Sequence, residues 1–201
     1  MRFRTTALAS GALITALLLT GCAQNNGTGG MPGMDHNSSS TSPSASRADF
    51  NAADETFATM MIPHHEQAVE MADLILGKDG IDNRVSDLAQ QIKNAQGPEI
   101  ETMKSWLKTW GAPYAVSQSG GMNHGGGMMS DGDMTALESA TGAEASRLFL
   151  KQMTQHHQGA IDMARTELDT GKNEDAVALA QTIIDAQAAE IATMQDILGT
   201  V

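Results

Sequence analysis

Residues 61–73 read MIPHHEQAVEMAD, and residues 153–165 read MTQHHQGAIDMAR. In both stretches a methionine lies three residues before a pair of histidines, and another lies seven residues after the first histidine. Neighbouring apolar positions recur at the same shift of 92 residues. A second block, AQGPEIETM at 95–103, recurs as AQAAEIATM at 186–194. The chain therefore consists of two related halves, and each half carries both blocks.

Apolar residues in both halves repeat with the spacing of an α-helix. In the first block, one side of the predicted helix carries Phe57, Met61, His64, Ala68, Met71 and Ile75. Neither half shows the alternation of apolar and polar residues that is typical of strands. We expect two helices that end at Gly77 and Gly111, and two more over roughly 143–168 and 175–198. Two such hairpins predict an all-α, ferritin-like four-helix bundle.

The predicted bundle is preceded and interrupted by segments without helical periodicity. The expected organisation is a signal peptide at 1–21, a disordered tether at 22–48, a first hairpin at 49–114, a Gly- and Met-rich crossover at 115–134 and a second hairpin at 135–201. The tether is rich in Gly, Ser, Asn and Thr, so it buries too little apolar area to offset its ordering entropy. Both hairpins are expected to form one domain. Pro63 and Pro98 fall inside the helical pattern, where we expect kinks or a helix restart.

The N-terminus predicts export. Arg2 and Arg4 precede an apolar run over 7–19 that is too short for a comfortable membrane span. The run ends in Leu-Thr-Gly-Cys, which resembles the lipobox of bacterial lipoproteins, where cleavage leaves an acylated Cys22 as the new N-terminus. Several acyl chains hold a protein stably on a membrane. We therefore expect a lipoprotein anchored to the outer face of the cell membrane, with a plain secretory signal and a chance cysteine as the alternative.

The mature chain is strongly acidic. Removing residues 1–21 deletes Arg2 and Arg4 from 12 basic residues and none of the 24 acidic ones, which leaves 10 basic residues and a net charge of −14. Such a surface repels phosphate backbones and attracts cations, which argues against nucleic acid as a partner. The only cysteine is Cys22, so no disulfide can form within the chain. The sequence identifies no protein partner.

The histidine pairs lie on the apolar sides of their helices. His65 and His157 are turned by about 100° from the histidines that precede them. One histidine of each pair should therefore face the bundle centre, and the other the groove beside a neighbouring helix. A seam of Phe, Ala and Met offers few hydrogen-bond partners for a buried imidazole. Polar partners are available on the second helix of each half, which carries Gln96, Glu99, Gln187 and Glu190 on its inward side.

Two interpretations of this polar interior are open. In one, His–Glu and His–Gln hydrogen bonds satisfy each other, and methionine fills core volume because aromatic residues make up only 3% of the chain. In the other, imidazole and thioether groups bind a soft metal ion, and this donor set favours copper over calcium or magnesium. The same Met and His spacing in both halves favours metal binding. We expect copper, with Cu(I) favoured and Cu(II) as the alternative, and either histidine of each pair as the ligand.

Methionine and histidine also cluster in the tether and the crossover, where the sequence indicates no core role for them. Flexible clusters of this type suit capture of Cu(I) or Ag(I), because the ligand geometry can adjust around the ion. A low-complexity linker with incidental methionine explains the composition equally well. The accessory candidates are Met31, Met34, His36, Met122, His124, Met128 and Met129, with Met134 beside them.

The doubled motif M-x-x-H-H-x-x-A-x-x-M-A resembles the bacterial family catalogued as domain of unknown function 305, over about residues 50–198. The resemblance implies a ferritin-like four-helix architecture, frequent export, and copper binding and copper tolerance in some members. The implied metal-binding positions are Met61, His64, His65, Met71, Glu99, Met103, Met153, His156, His157, Met163, Glu190 and Met194. Gln67 stands where the second half has Gly159, which leaves open whether the two halves bind equally.

The leading functional hypothesis is a non-enzymatic, lipid-anchored protein that sequesters or delivers copper outside the cytoplasm. A ferritin-like metal oxidoreductase is one alternative, but that chemistry uses Glu-x-x-His pairs, which the sequence lacks. His-Glu-x-x-His is absent, which argues against a zinc protease, and no Gly-x-Ser-x-Gly nucleophile elbow appears. Another alternative is a structural or interaction module of the cell envelope, in which a His–Glu network holds the bundle together.

Overall fold

The two histidine pairs lie near the middle of two long helices in a computed structural model, which describes residues 49–112, 114 and 126–201. The helices are α1 (Ala52–Leu76), α2 (Asn83–Trp110), α3 (Asp131–Ser139), α4 (Gly142–Thr170) and α5 (Glu174–Leu198). The four long helices form the predicted all-α bundle, because α1 packs on α2, α4 packs on α5, and α1 contacts α4. No helix of the described residues is long and apolar enough to cross a membrane. The predictions for residues 1–48 and 115–125 lie outside this part of the chain.

Local sequence explains where the helices begin and end. The Asn51 side chain accepts hydrogen bonds from the backbone N–H groups of Ala53 and Asp54, which caps the start of α1. Gly111 ends α2 in the left-handed conformation, with φ of 75°, which glycine adopts without strain. The predicted ends at Gly77 and Gly111 are confirmed.

The prolines do not divide the helices. α1 runs unbroken through Pro63, and α2 runs unbroken through Pro98, so the predicted helix restart is wrong. A proline removes one helical hydrogen bond. The neighbouring turns persist because the residues around each proline pack into the core, including Ile62 beside Pro63 and Ile100 after Pro98.

The sequence predicted no helix between Gly111 and residue 143, yet α3 forms within the last part of the predicted crossover and just after it. The Ser130 side chain accepts from the N–H of Asp133, and the Asp133 carboxylate accepts from the N–H of Ser130, so the helix start is capped from both sides. The Leu137 side chain is fully buried against the bundle. Nine residues are too few to show a clear helical repeat, and the capping pair was the available signal.

The core contains two apolar clusters with the histidines between them. One cluster joins the C-terminal part of α1 to the N-terminal part of α4 and includes Met71, Ile75, Val85, Ile92, Phe149 and Met153. The other includes Phe57, Met61, Ile100, Leu107, Ala164 and Ile183. α1 and α4 therefore run antiparallel, and the histidine pairs occupy the level between the clusters. Gln96 and Gln187 lie at the same level of α2 and α5. We use the term polar layer for the six buried polar residues at this level, which are His64, His65, His156, His157, Gln96 and Gln187.

Candidate metal centre

The first histidines of the two pairs meet at the centre of the bundle. The ring centroids of His64 and His156 are 3.7 Å apart, and the ring planes are inclined by 39°. The second histidines face the neighbouring helices, where Nε2 of His65 lies 2.7 Å from Glu99 Oε2 and Nε2 of His157 lies 2.7 Å from Glu190 Oε2. All four imidazoles are buried. The predicted division of each pair between centre and groove is confirmed.

The hydrogen-bond partners assign the tautomers. Carboxylate and carbonyl oxygens only accept, so His65 and His157 donate through Nε2 to Glu99 and Glu190. His64 likewise donates through Nε2 to the Gly126 carbonyl oxygen at 2.9 Å. In a neutral ring the lone pair is then on Nδ1. Each of these three histidines therefore has an oriented ring and a nitrogen that can bind a metal ion.

The other ring nitrogens of the histidine pairs are buried and unpaired. Within residues 49–112, 114 and 126–201, no hydrogen bond reaches Nδ1 of His64, His65, His156 or His157. Nε2 of His156 is also without a partner in this part of the chain. Leaving a buried polar atom unpaired costs about 1–3 kcal/mol. Hydrogen bonds between protein groups therefore pair the Nε2 atoms of His65 and His157 with glutamates, but they leave the other ring nitrogens named above without a partner.

Burial keeps the central histidines neutral. The pKa of His64 is lowered to about 3, mainly by burial and then by the nearby His65, while the hydrogen bond to the Gly126 carbonyl opposes the shift. Burial also holds the pKa of His156 well below its ordinary value, followed by the effect of His64 and the other two histidines. A weaker interaction of His156 with the His64 backbone opposes that shift but lacks normal hydrogen-bond geometry. Both rings are therefore neutral at neutral pH, and each keeps one N–H and one nitrogen with a free lone pair.

Two glutamines add unpaired groups to the polar layer. The amide oxygen and nitrogen of Gln96 are buried, and neither makes a hydrogen bond to another described residue. The amide oxygen of Gln187, at the corresponding level of α5, is in the same state. Native proteins pair most buried polar groups with protein or with water. The polar layer therefore contains several buried donors and acceptors that no described residue pairs.

The predicted methionine ligands lie on both sides of the polar layer. Met61 and Met103 are fully buried in the cluster that contains Phe57, whereas Met71, Met153 and Met194 are fully buried in the other. The Met194 sulfur also accepts a hydrogen bond from Thr154 Oγ1 at 3.6 Å. Met163 is half-buried and packs on the first of these clusters. These methionines therefore have a packing role whether or not their sulfurs also bind an ion.

The crossover methionines are only partly in the described residues. Met31, Met34, His36, Met122 and His124 lie outside them, as does Cys22. Met129 is 3% exposed and belongs to the core cluster of Met71, so the interpretation that no core role exists for it is wrong. The Gln67 side chain holds the Met129 backbone in place with two hydrogen bonds. Met128 is half-buried, and Met134 packs against the same cluster.

A family model described as Domain of unknown function (DUF305) matches residues 54–198. The chain belongs to the DUF305 family. Comparison with curated proteins gives no match. Among solved structures, a DUF305 fragment from Deinococcus radiodurans has a TM-score of 0.69 and 30% identity, and it covers 75% of this chain and 98% of that one. A DUF305 protein from Streptomyces coelicolor, provisionally described as secreted, has a TM-score of 0.67 and 32% identity over 73% of this chain and 91% of that one.

A further similar structure is CopM in its Cu(II)-bound form. Its TM-score is 0.64 at 32% identity, and the match covers 73% of this chain and 95% of CopM. CopM has also been solved in Cu(I)-bound and Ag-bound forms, which match at 30–32% identity. The family resemblance predicted from the doubled motif is therefore confirmed, and the fold is shared with CopM, which has been solved in copper-bound and silver-bound forms.

In this DUF305 chain, no three side chains of His, Cys, Asp or Glu among the described residues are arranged to hold a metal ion by themselves. Two of the four imidazoles face each other, and two are held by carboxylates. The carboxylates accept the Nε2–H of their histidines, which is the usual outer-shell role for a carboxylate beside a metal-binding imidazole. The polar layer therefore offers unpaired imidazole nitrogens, and imidazole is a ligand that suits copper.

Proposed function

We propose that this chain is an exported, lipid-anchored protein that binds copper in the polar layer at the centre of its bundle, with Cu(I) favoured over Cu(II), and that sequesters or delivers the ion. His64 and His156 are the central ligands, because their rings face each other and both carry unpaired buried nitrogens. His65 and His157 are the adjacent candidates. Glu99 and Glu190 orient those rings, and the methionines above and below the layer are the sulfur donors.

The observation that carries this proposal is the set of four buried Nδ1 atoms without hydrogen-bond partners in the described chain. A purely structural polar layer gains nothing from unpaired imidazoles, since each one lowers stability. A metal ion in the layer gives these nitrogens a partner and recovers that cost. The copper-bound and silver-bound CopM structures support the same ion class for this fold.

Copper titration tests the proposal directly. We expect the purified protein to take up Cu(I) from a competing chelator, and its melting temperature to rise because the ion binds only the native state. A variant with His64→Ala, His65→Ala, His156→Ala and His157→Ala should lose this binding. Gln158→Ala, an exposed change next to His157, is the control and should bind as the wild type does. Equal copper affinity in the wild type and the four-histidine variant would remove the bundle site.

The same experiment separates the alternative functions. A bundle that remains metal-free, and whose melting temperature is unchanged by copper, would favour a structural or interaction module of the envelope. Turnover of a metal with oxygen, followed by absorbance, would favour the oxidoreductase. The proposal requires stoichiometric binding without turnover.

Lipid anchoring is tested at Cys22. We expect the full-length protein in its host to sediment with membranes, and the Cys22→Ala variant to lose membrane attachment because it cannot be acylated. Cys22→Ser leaves the same charge and serves as a second unacylated variant. Sedimentation of both variants with the membrane to the same extent as the wild type would contradict the anchor, without affecting the copper proposal.

A further inference from the structure

Residues 126–129, here called the strap, cross α1 beside the histidine pair. The Gly126 carbonyl accepts the Nε2–H of His64 at 2.9 Å. Further along, the Met129 N–H donates to the Gln67 side-chain oxygen at 2.7 Å, and the Gln67 amide nitrogen donates to the Met129 carbonyl at 2.9 Å. The side-chain amide of Gln67 thus forms hydrogen bonds with both the N–H and the carbonyl group of Met129. The strap is thereby fixed to α1 three residues after His64.

The strap also lies directly against the backbone of α4. A Cβ atom at Gly159 would lie 1.7 Å from the Gly126 oxygen and 2.7 Å from the Gly127 nitrogen. Gly127 has φ of 82°, and a Cβ there would lie 2.6 Å from the Gln155 carbonyl oxygen. No real Cβ contact is that short, so only glycine at position 159 allows this approach. Gly159 is the counterpart of Gln67 at the shift of 92 residues.

The two halves of the chain therefore differ at this position for a physical reason. In the first half, glutamine supplies the amide that binds the strap. In the second half, glycine leaves the space that the strap backbone occupies. Together they place the Gly126 carbonyl against His64. His156, the counterpart of His64, has no such acceptor among the described residues, and both of its nitrogens are unpaired.

We propose that Gln67 and Gly159 are positioning residues for His64, which they orient as a metal ligand through the strap. The Gly126 carbonyl holds the proton on Nε2 and directs the lone pair of Nδ1 to the soft cation. This inference rests on the proposed copper site and assigns unequal roles to the two halves. His64 is held in one tautomer by the strap, and His156 remains adjustable. Backbone carbonyls commonly orient metal-binding histidines in this way.

The test uses Gly159→Ala in the full chain, with Gly97→Ala as the matched control. Gly97 also lies inside a long helix, but a Cβ there meets nothing within 4 Å. We expect Gly159→Ala to displace the strap and to weaken Cu(I) binding by about 10–100-fold, which is the usual effect of losing an outer-shell partner. Gly97→Ala should leave the copper affinity unchanged. Chelator competition measures both affinities.

A second variant and a metal-free measurement keep the test decisive. Gln67→Leu removes both strap hydrogen bonds without adding atoms at Gly159, and Gln158→Leu is its exposed control. Nitrogen NMR of the His64 ring, without copper, should show loss of the fixed Nε2–H tautomer in Gly159→Ala and Gln67→Leu. An unchanged tautomer and unchanged affinity in the folded variants would overturn the inference. Because the tautomer is measured without metal, this failure is distinct from failure of the four-histidine test.

Discussion

We expect His156→Leu to make the metal-free protein more stable and to remove its stabilisation by copper. Both ring nitrogens of His156 are buried without hydrogen-bond partners in the described chain, and its side chain is fully buried beside His64. Leucine fills a similar volume without desolvated nitrogens, so the free energy of unfolding should rise by about 1–3 kcal/mol. Copper at about 100 times its dissociation constant should add about 2.7 kcal/mol to the wild type. Copper should raise the free energy of unfolding of the His156→Leu variant by much less than this.

His157→Leu is the matched control at the neighbouring position. This substitution removes the hydrogen bond to Glu190, whose side chain is only 19% exposed, and leaves that carboxylate without its partner. It should therefore lower the free energy of unfolding by about 1–3 kcal/mol. Calorimetry of both variants, with and without Cu(I), provides the comparison. If the two leucine variants are destabilised to the same extent, His156 has a partner and is not the free ligand proposed here.

The repeat made the bundle and its histidine layer predictable. Positions that recur at 92 residues with helical spacing placed one histidine of each pair toward the bundle centre. The second block placed Glu99 and Glu190 on the inward sides of their helices, where the structure pairs them with His65 and His157. Both contacts exist with the same distance in each half. The helical spacing of the apolar residues was sufficient to predict this arrangement, because long helices pack their apolar sides against each other in only a few geometries.

The strap and α3 were not predictable in the same way. The contacts of the strap join segments that are far apart in sequence, such as Gln67 and Met129, and they depend on backbone atoms that carry no sequence signal. The start of α3 carries a capping pair, but its nine residues show no clear helical repeat. The difference between Gln67 and Gly159 was visible in the repeat, but its reason was not. Met129 was misassigned because a Gly-rich segment looked unable to enter a core. Met129 can be buried because the Gln67 side chain forms hydrogen bonds with its backbone N–H and carbonyl groups.

A second large effect concerns the start of α1, far from the histidines. Asp54 is fully buried and accepts backbone hydrogen bonds from Lys172 and Asn173, both at 2.9 Å, and from Asn51. The buried carboxyl group of Glu167 interacts with Asp54, although no contact between them meets strict hydrogen-bond geometry. Because Asp54 is held as an anion by three N–H groups, Glu167 must be the protonated partner. The pair joins the start of α1 to the end of α4.

Burial, followed by the nearby Asp54, raises the pKa of Glu167 to about 8. The folded protein therefore binds one more proton than the unfolded chain between about pH 4.5 and pH 8. This contribution to stability is complete below pH 4.5 and is lost as the pH rises through 8. Asp54 has a lowered pKa, so its contribution is lost only as the pH falls below its ordinary value of 3.8. His64 and His156 act in the opposite direction to Glu167, because their lowered pKa values reduce stability as the pH falls below 6.5.

Glu167→Gln isolates the carboxyl pair from these other groups. Glutamine keeps a neutral donor beside Asp54 but cannot ionise, so the variant should exceed the wild type in stability by about 2–4 kcal/mol at pH 9 and match it at pH 5. Glu70→Gln, an exposed change on α1, should show no such divergence. Urea unfolding at a series of pH values measures the difference between each variant and the wild type. A constant difference from pH 5 to pH 9 would mean that Glu167 does not hold a proton in the folded state, because the difference depends on pH only where the folded protein keeps a proton that the unfolded chain has lost.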